Sequence, residues 1–533
     1  MERNLSVSNL REGVTMKLLT ERYAHQIAGT LSCFDRLVIT GTLPDICHKD
    51  ALAKHLSGRG IRLFDYAKGF AEPLRDEIRA NAQRLAQDAG VEIEYLRSAH
   101  GIRKENRVQE ILAARPAAER NQPGQPGLVH VFAALEPCTA FKPWHDKASH
   151  KTYLRVTSGK CLHYYFYFID AQFGLCYLRV STWSPFRLQF YCNGHNWLAN
   201  QLSAQGIAFE QLDNSFAQLA DWSRAQQLAD AFPVERLHRL LDRVAALYCP
   251  VVPHFPSGYH WSIMQVEYAT DIVFHKQADL KPLYETLIHT AVHAVKPEHV
   301  ATFLGRKLHP NFSDELGNDF HTRIEGTRIK HHMGPASLKM YDKAGLVLRI
   351  ETTTNDVSFF KHYRQVEHRN GQTETKFAPL QKTIYSLGVL RELLGAANRR
   401  YLEFLSDLSD PTAGVRKVEK LAQTVRQGKG KEQRSSKGFN LFDRDDLELF
   451  VALAQGQWQI TGLHNAALRR LLQDKSGPQV SRLLKRLRLH GLLKKIGKTY
   501  KYYLTKMGQE VLLTALKLRE LVVIPALAGL LPA

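Results

Sequence analysis

The sequence predicts an α+β multidomain protein. It comprises an N-terminal α/β region over 1–115, a central mixed β-sheet with helices over 128–408, a basic flexible linker over 409–440 and a separate C-terminal module over 441–533. Three observations predict this class. Runs of β-branched and aromatic residues, bounded by turn residues, recur between 129 and 191 and again between 326 and 354. Helical periodicity fills the intervals between them. A Pro- and Gly-punctuated connector, ARPAAERNQPGQPG, and a Lys-, Gly-, Gln- and Ser-rich stretch after residue 409 divide the chain.

The elements follow in order. Leu37 to Thr40 and Val91 to Leu96 have strand composition, and Lys49 to Ser57, Glu72 to Ala89 and Glu105 to Ala114 have helical spacing. After the connector, Val129 to Ala133, His163 to Ile169, Leu175 to Thr182 and Arg187 to Tyr191 read as strands. Asn193-Gly194 turns the chain into a helix from Asn196 to Ala204. The chain from Asp221 to about Val295 reads as mostly helical, Gly326 to Thr354 as strands, and Tyr385 to Ser406 as a long helix.

Composition narrows the class of protein. There are 72 basic and 52 acidic residues, net +20, and 44% hydrophobic residues, enough for several cores in 533 residues. From Pro411 onward there are 23 basic and 9 acidic residues, so +14 of the +20 lies in the last 123 positions. A polyanion is the partner such asymmetry implies. The seven cysteines are scattered, with no CxxC, which argues against a zinc ribbon or a disulfide framework and for reduced thiols in a cytoplasm. No signal peptide opens the chain, and the apolar run Leu521 to Ala533 is too short and too broken by proline to span a bilayer. It is expected to pack on the last helix or to mediate homodimer contacts. No membrane partner is expected.

The most explicit segment is SGPQVSRLLKRLRLHGLLKKIGKTYKYYL, Ser476 to Leu504. From Gln479 to Lys506 it carries nine Lys or Arg and no acid. Ser476 suits an N-cap with Pro478 in the first turn, and Val480, Leu483, Leu484 and Leu487 make one apolar face. His490-Gly491 ends the helix. Two short strands, Leu492 to Ile496 and Thr499 to Leu504, meet at Gly497-Lys498, and Thr505 caps a last helix to Glu520. Asp445 to Ala454 and Asn465 to Leu472 supply two helices upstream. This order resembles the winged-helix family, as in MarR-like regulators. The resemblance implies DNA binding, with Gln479, Arg482, Lys485 and Arg486 toward the major groove, Arg488 on the same helix, and Lys494, Lys495, Lys498 and Lys501 near phosphates.

A second segment, EGTRIKHHMGPASLKMYDKAGLVLRIETTTN (325–355), reads as three antiparallel strands. Alternation separates Leu338, Met340, Leu346, Leu348 and Ile350 from Lys339, Tyr341, Arg349 and Glu351. Tyr341 is expected opposite Val347 across an odd loop, with Lys339 facing Arg349 and Ser337 facing Glu351. Opposed like charges suit a phosphate between them, and a solvated sheet face would have the same residues. The KMYDK…LRIE hairpin resembles a strand pair of phage and plasmid rolling-circle replication initiators. That resemblance implies phosphodiester chemistry with Tyr341 as the matching tyrosine, although two histidines separated by one apolar residue in a strand do not occur here. Lys339, Arg349 and Glu351 on the same polar face are the candidate residues for the phosphate or a metal-bound phosphate.

A third segment, HWSIMQVEYATDIVFH, places His260, Glu267 and Asp271 within about one face if helical, a possible Mg²⁺ or Mn²⁺ site, or a solvated stripe. The aromatics of HYYFYFID, with His163, Tyr165 and Tyr167 on one strand face, suit either a core or base stacking. No GxxxxGK[ST] and no GxGxxG after a strand occurs, which excludes the common nucleotide-driven motors and dinucleotide enzymes. The expected function is nucleic-acid binding, DNA before RNA, by a mobile-element protein. The alternatives are a metal-dependent nuclease or replication initiator, or a component of a ribonucleoprotein.

Overall fold

A computed structural model describes residues 18–97, 103–114, 127–306, 316–323, 326–368, 370–408, 421–427, 434–440, 443–454, 458, 462–497 and 499–518. The class is α+β, with a large mixed sheet and, among the described residues, fourteen helices. In chain order the strands are β1 (Ile27–Thr42), β2 (Ile93–Leu96), β3 (Gly127–Asp146), β4 (Lys151–Asp170), β5 (Gly174–Ser181), β6 (Leu188–Cys192), β7 (Phe209–Gln211), β8 (Phe216–Leu219), β9 (His260–Phe274), β10 (Leu316–Arg323), β11 (Gly326–Met333), β12 (Ala336–Lys343), β13 (Val347–Thr354), β14 (Lys361–Glu367), β15 (Thr373–Pro379), β16 (Val425–Gln427), β17 (Arg434–Ser436), β18 (Leu493–Lys495) and β19 (Tyr502–Leu504). The chain forms two compact units, and both are discontinuous in sequence.

One unit is Ala28–Val273 with Pro335–Gly395. Its sheet runs β12-β13-β9-β1-β6-β5-β4-β3-β2. The strands expected in a separate N-terminal region therefore belong to this sheet, β1 at its centre and β2 at its edge. The boundary expected near residue 115 does not divide the two units. β2 joins β3 in parallel, while β3–β4, β4–β5, β5–β6, β6–β1, β9–β13 and β13–β12 are antiparallel. The aromatics Tyr164 to Phe168 are all buried. Tyr165 and Tyr167 pack with Val108 and Phe132 beneath the helix Lys104–Ala113, so they build core rather than a stacking platform.

The stretch HWSIMQVEYATDIVF, expected to be helical, is strand β9. Trp261, Ile263, Val266, Tyr268, Ile272 and Val273 are β-branched or aromatic residues that fit a pleated, buried surface. All eight residues of β13 are buried, although the polar side of this strand was expected to meet solvent or a ligand. The β12–β13 hairpin closes through Ala344, Gly345 and Leu346, with positive φ at Ala344 and Gly345. This odd loop keeps the expected parity but shifts the register by two. Tyr341 lies opposite Arg349 and Lys339 opposite Glu351. Unlike charges thus face each other, which is the stabilising arrangement.

The other unit is Met1–Ile27, Phe274–Gly334 and Ala396–Ala533. It contains the helices Gln277–Ala294 and Pro297–Phe303 and the β10–β11 hairpin. Its C-terminal part has the helices Arg444–Leu453, Asn465–Leu471 and Gly477–Leu489, the β18–β19 hairpin and the helix Lys506–Leu518. Leu463 forms an antiparallel bridge to Tyr502 and exchanges backbone hydrogen bonds of 2.7 and 2.8 Å with it. Leu449, Phe450, Leu468, Val480, Leu484, Leu487, Leu493 and Leu512 fill the core. Leu421 and Phe439, inside the stretch expected to be a flexible linker, are buried in the same core. Polar composition hid these two apolar anchors. The expected packing or dimer segment Leu521 to Ala533 lies outside the described residues. No helix is long and apolar enough to cross a membrane among the described residues.

Candidate functional site

The chemistry-bearing residues of the sheet unit gather on one face of its centre. β13 places Arg349 directly opposite Asp271 of β9, and Thr353 opposite Glu267. Because side chains alternate along a strand, Glu267, Ala269 and Asp271 share a face, as do Arg349, Glu351 and Thr353. β1 adds Asp35 from the next position in the sheet. The chain leaving β6 adds Asn193 and His195 at the start of the helix Gly194–Ala204. Here Gly194 is required by space, since a Cβ would lie 2.2 Å from the Phe34 carbonyl oxygen. That close approach seats His195 against Asp35.

Arg349 is fully buried and holds the centre together. Its Nε donates to Asp271 Oδ1 at 2.6 Å and its Nη2 to Asp271 Oδ2 at 2.7 Å, a bidentate pair. Nη1 donates to Asp35 at 3.2 Å, and Nη2 also reaches the Asn214 carbonyl. His195 lies between the two aspartates, Nδ1 at 3.2 Å from Asp35 and Nε2 at 3.8 Å from Asp271. Asp35 accepts from Asn193 at 3.2 Å and from Asn214 at 2.6 and 2.8 Å, and Asp271 accepts from the Ser215 hydroxyl at 2.9 Å. Each buried oxygen thus has donors, as burial of charge demands.

A second cluster adjoins the first. Lys339 Nζ donates to Glu351 at 2.6 Å and to Glu267 at 3.2 Å, and the Tyr341 hydroxyl donates to Glu351 at 2.8 Å. One carboxylate oxygen each from Asp35, Glu267 and Glu351 lies within 4.8 Å of the others. Three carboxylates at that spacing could hold a hard divalent cation. Lys343, at the hairpin end, pairs with Asp213 at 3.2 Å and with the Asn214 side chain.

The electrostatics follow from burial and pairing. Burial by itself would raise the Asp35 and Asp271 carboxyls, but the Arg349 guanidinium and the His195 contacts hold both well below the usual carboxylate range. Burial opposes a charge on His195, yet its contacts with Asp271 and Asp35 outweigh that and raise its pKa. Glu267 is raised by burial and by the neighbouring Glu351. Burial works against the Lys339 charge, but Glu351 and Glu267 keep it raised. Burial drives the Tyr341 hydroxyl up, and the Glu351 carboxylate adds to it. That hydroxyl is a hydrogen-bond donor here, and its surroundings oppose the phenolate that a nucleophile requires.

The structure therefore brings together Tyr341, Glu351, Arg349, Lys339, Glu267 and Asp271. It excludes His260. On a strand, the seven residues from His260 to Glu267 span about 23 Å, so they cannot share an ion. Residues not expected at the site are Asp35, Asn193, His195, Asn214, Ser215 and Lys343. The signal for Asp35 was an acid inside a mostly apolar strand-like run, LSCFDRLVIT.

In the C-terminal module, Gln479, Arg482, Lys485 and Arg488 are exposed along the helix Gly477–Leu489, and Lys494 and Lys501 are exposed on the hairpin. Gln479 also accepts from the Ser476 backbone N–H at 2.7 Å and so completes the cap. Lys495 is half-buried beside Tyr500. Lys498 lies outside the described residues. Arg486 turns inward. It donates to Asp446 at 2.7 and 3.0 Å and to the Lys437 and Gly438 carbonyls, and its guanidinium lies 3.8 Å from the Phe439 ring centre. It fastens the segment before Arg444 to the helix rather than facing outward. No family model, curated protein or solved structure matches this chain.

Proposed function

We propose that this protein binds nucleic acid, DNA before RNA, through its C-terminal module used as a winged helix. The observation that carries the reading is the exposure of Gln479, Arg482, Lys485 and Arg488 along the helix and of Lys494 and Lys501 on the hairpin, in a stretch free of acids from 479 to 506. A helix of this kind fits the major groove, and the hairpin lies along the backbone. The Leu463–Tyr502 bridge supports the reading because it ties the hairpin to the helical part and gives it a fixed direction. Fluorescence anisotropy with a labelled duplex tests it. Arg482→Ala with Lys485→Ala is expected to weaken binding at least tenfold, and unchanged affinity would refute the assignment.

A second reading rests on the carboxylates. Asp35, Glu267 and Glu351 would hold Mg²⁺ or Mn²⁺, and such an ion would polarise a phosphodiester of the bound strand, as in a nuclease or a replication initiator of a mobile element. Asp271 belongs to the Arg349 pair instead. Lys339 already pairs with two of the three carboxylates, so an ion enters by displacing its ammonium or by sitting beside it. Isothermal titration with Mn²⁺ is expected to show one site in the wild type and none in Glu267→Gln with Glu351→Gln. Equal heats from both would end the metal reading.

A further inference from the structure

β3 and β4 are twenty residues each, and the rest of the sheet covers only part of them. β2 pairs with β3 only at Val131 to Ala134, and β5 pairs with β4 only from His163 onward. From Pro137 to Lys160 the two strands pair with each other alone among the described residues. This ribbon carries Lys142, Lys147, Lys151, Arg155 and Lys160 against one acid, Asp146. Asp146 is engaged in its own turn with Ala148 and Ser149.

The register sorts the ribbon into two faces. On one, Phe141 and Leu154 are buried. On the other, Lys142 faces Arg155 and Trp144 faces Tyr153. Trp144 is 45% exposed, and the Arg155 guanidinium lies 3.9 Å from its ring centre. Lys142 and Arg155 are both exposed, and Arg155 donates to the Tyr153 hydroxyl at 3.1 Å. Like charges directly opposed across two strands are unfavourable until an anion lies between them. Two rows nearer the sheet, Cys138 on the same face opens on a cavity of about 160 Å³ lined by Thr139, His163, Arg179 and Arg187. Arg179 is neutralised there by Glu136 at 2.8 Å, so the exposed Arg187 carries the positive charge at the ribbon's foot.

We infer that this face of the ribbon is a second binding surface, for single-stranded nucleic acid, with Trp144 stacking on a base and Lys142 and Arg155 flanking a backbone phosphate. A positively charged track interleaved with an exposed aromatic ring is what an unpaired strand requires. The surface belongs to the sheet unit and uses none of the residues of the C-terminal module. It rests on the reading of the protein as a nucleic-acid binder.

The test uses the full chain and fluorescein-labelled dT20, rU20 and a duplex of 20 base pairs. Trp144→Ala is expected to weaken single-strand binding by about 5- to 150-fold, the value of one stacked base. Lys142→Ala with Arg155→Ala is expected to lower the slope of log affinity against log salt by about 1.4, for two phosphates on a single strand. Duplex binding is expected to follow Arg482 and Lys485 instead. Better binding of dT20 or of rU20 tells which strand the ribbon takes. Single-strand binding unchanged in both ribbon variants, with duplex binding still lost in Arg482→Ala with Lys485→Ala, would overturn the ribbon proposal alone. No binding of any of the three probes by the wild type would overturn both readings.

Discussion

At the residue scale, Arg349 decides the character of the site. A fully buried guanidinium is tolerable only because Asp271 and Asp35 surround it, and removing one partner leaves an uncompensated charge. Asp271→Ala is therefore expected to cost about 3–5 kcal/mol, read from urea unfolding. A loss under 1 kcal/mol would show that water or another acceptor takes over. The pH dependence follows from the same groups. His195 is raised in the folded chain, so its contribution is complete below the unfolded value of about 6.5 and is lost as pH rises through the higher folded value. Asp35 and Asp271 are lowered, so theirs is complete above about 3.9 and is lost as pH falls toward their folded values. The midpoint of thermal unfolding is expected to fall from pH 6 to pH 9, and His195→Gln is expected to flatten that fall. An equally steep fall in the variant would place the titration elsewhere.

At the element scale, strand β9 shows what the sequence concealed. A spacing of four residues puts two carboxylates on one face of a helix, but four is even, so it puts them on one face of a strand as well. Glu267 and Asp271 were legible as a pair for that reason, while His260, seven residues away, was not separable from them until the element type was known. The β12–β13 hairpin was legible in strand order and loop parity, but a two-residue register shift preserves every face and escapes pattern reading. In the C-terminal module the helices and hairpin were legible because caps, glycine and periodicity agree locally. The inward turn of Arg486 was not, because its partner Asp446 lies forty residues away. Arg486→Ala is expected to raise hydrogen exchange across Arg444–Leu489 while changing duplex affinity less than Arg482→Ala does. A larger affinity loss from Arg486 than from Arg482 would reverse their roles.

At the scale of the whole molecule, long-range assembly was the least legible property. No local signal told that Asp35, His195, Asp271 and Arg349, spread over more than three hundred positions, converge on one face. Charge was legible because it sums without reference to fold. Its excess lies in the last 123 residues and along the ribbon of β3 and β4, one stretch in each compact unit, while the carboxylate trio belongs to the sheet unit. Single-site loss of metal is expected to leave duplex binding intact. If Glu267→Gln with Glu351→Gln abolishes duplex affinity in a chain that remains folded, the two activities are not separable.

The measurement that bears most directly on the central claim is the salt dependence of duplex affinity, for the wild-type chain beside Arg482→Ala with Lys485→Ala. The wild type is expected to bind at low salt with log affinity falling linearly against log salt, and the variant slope is expected to be shallower by about 1.8, for two lost phosphate contacts. A wild type that fails to bind duplex at 50 mM salt, or a variant with the same affinity and the same slope, would contradict it.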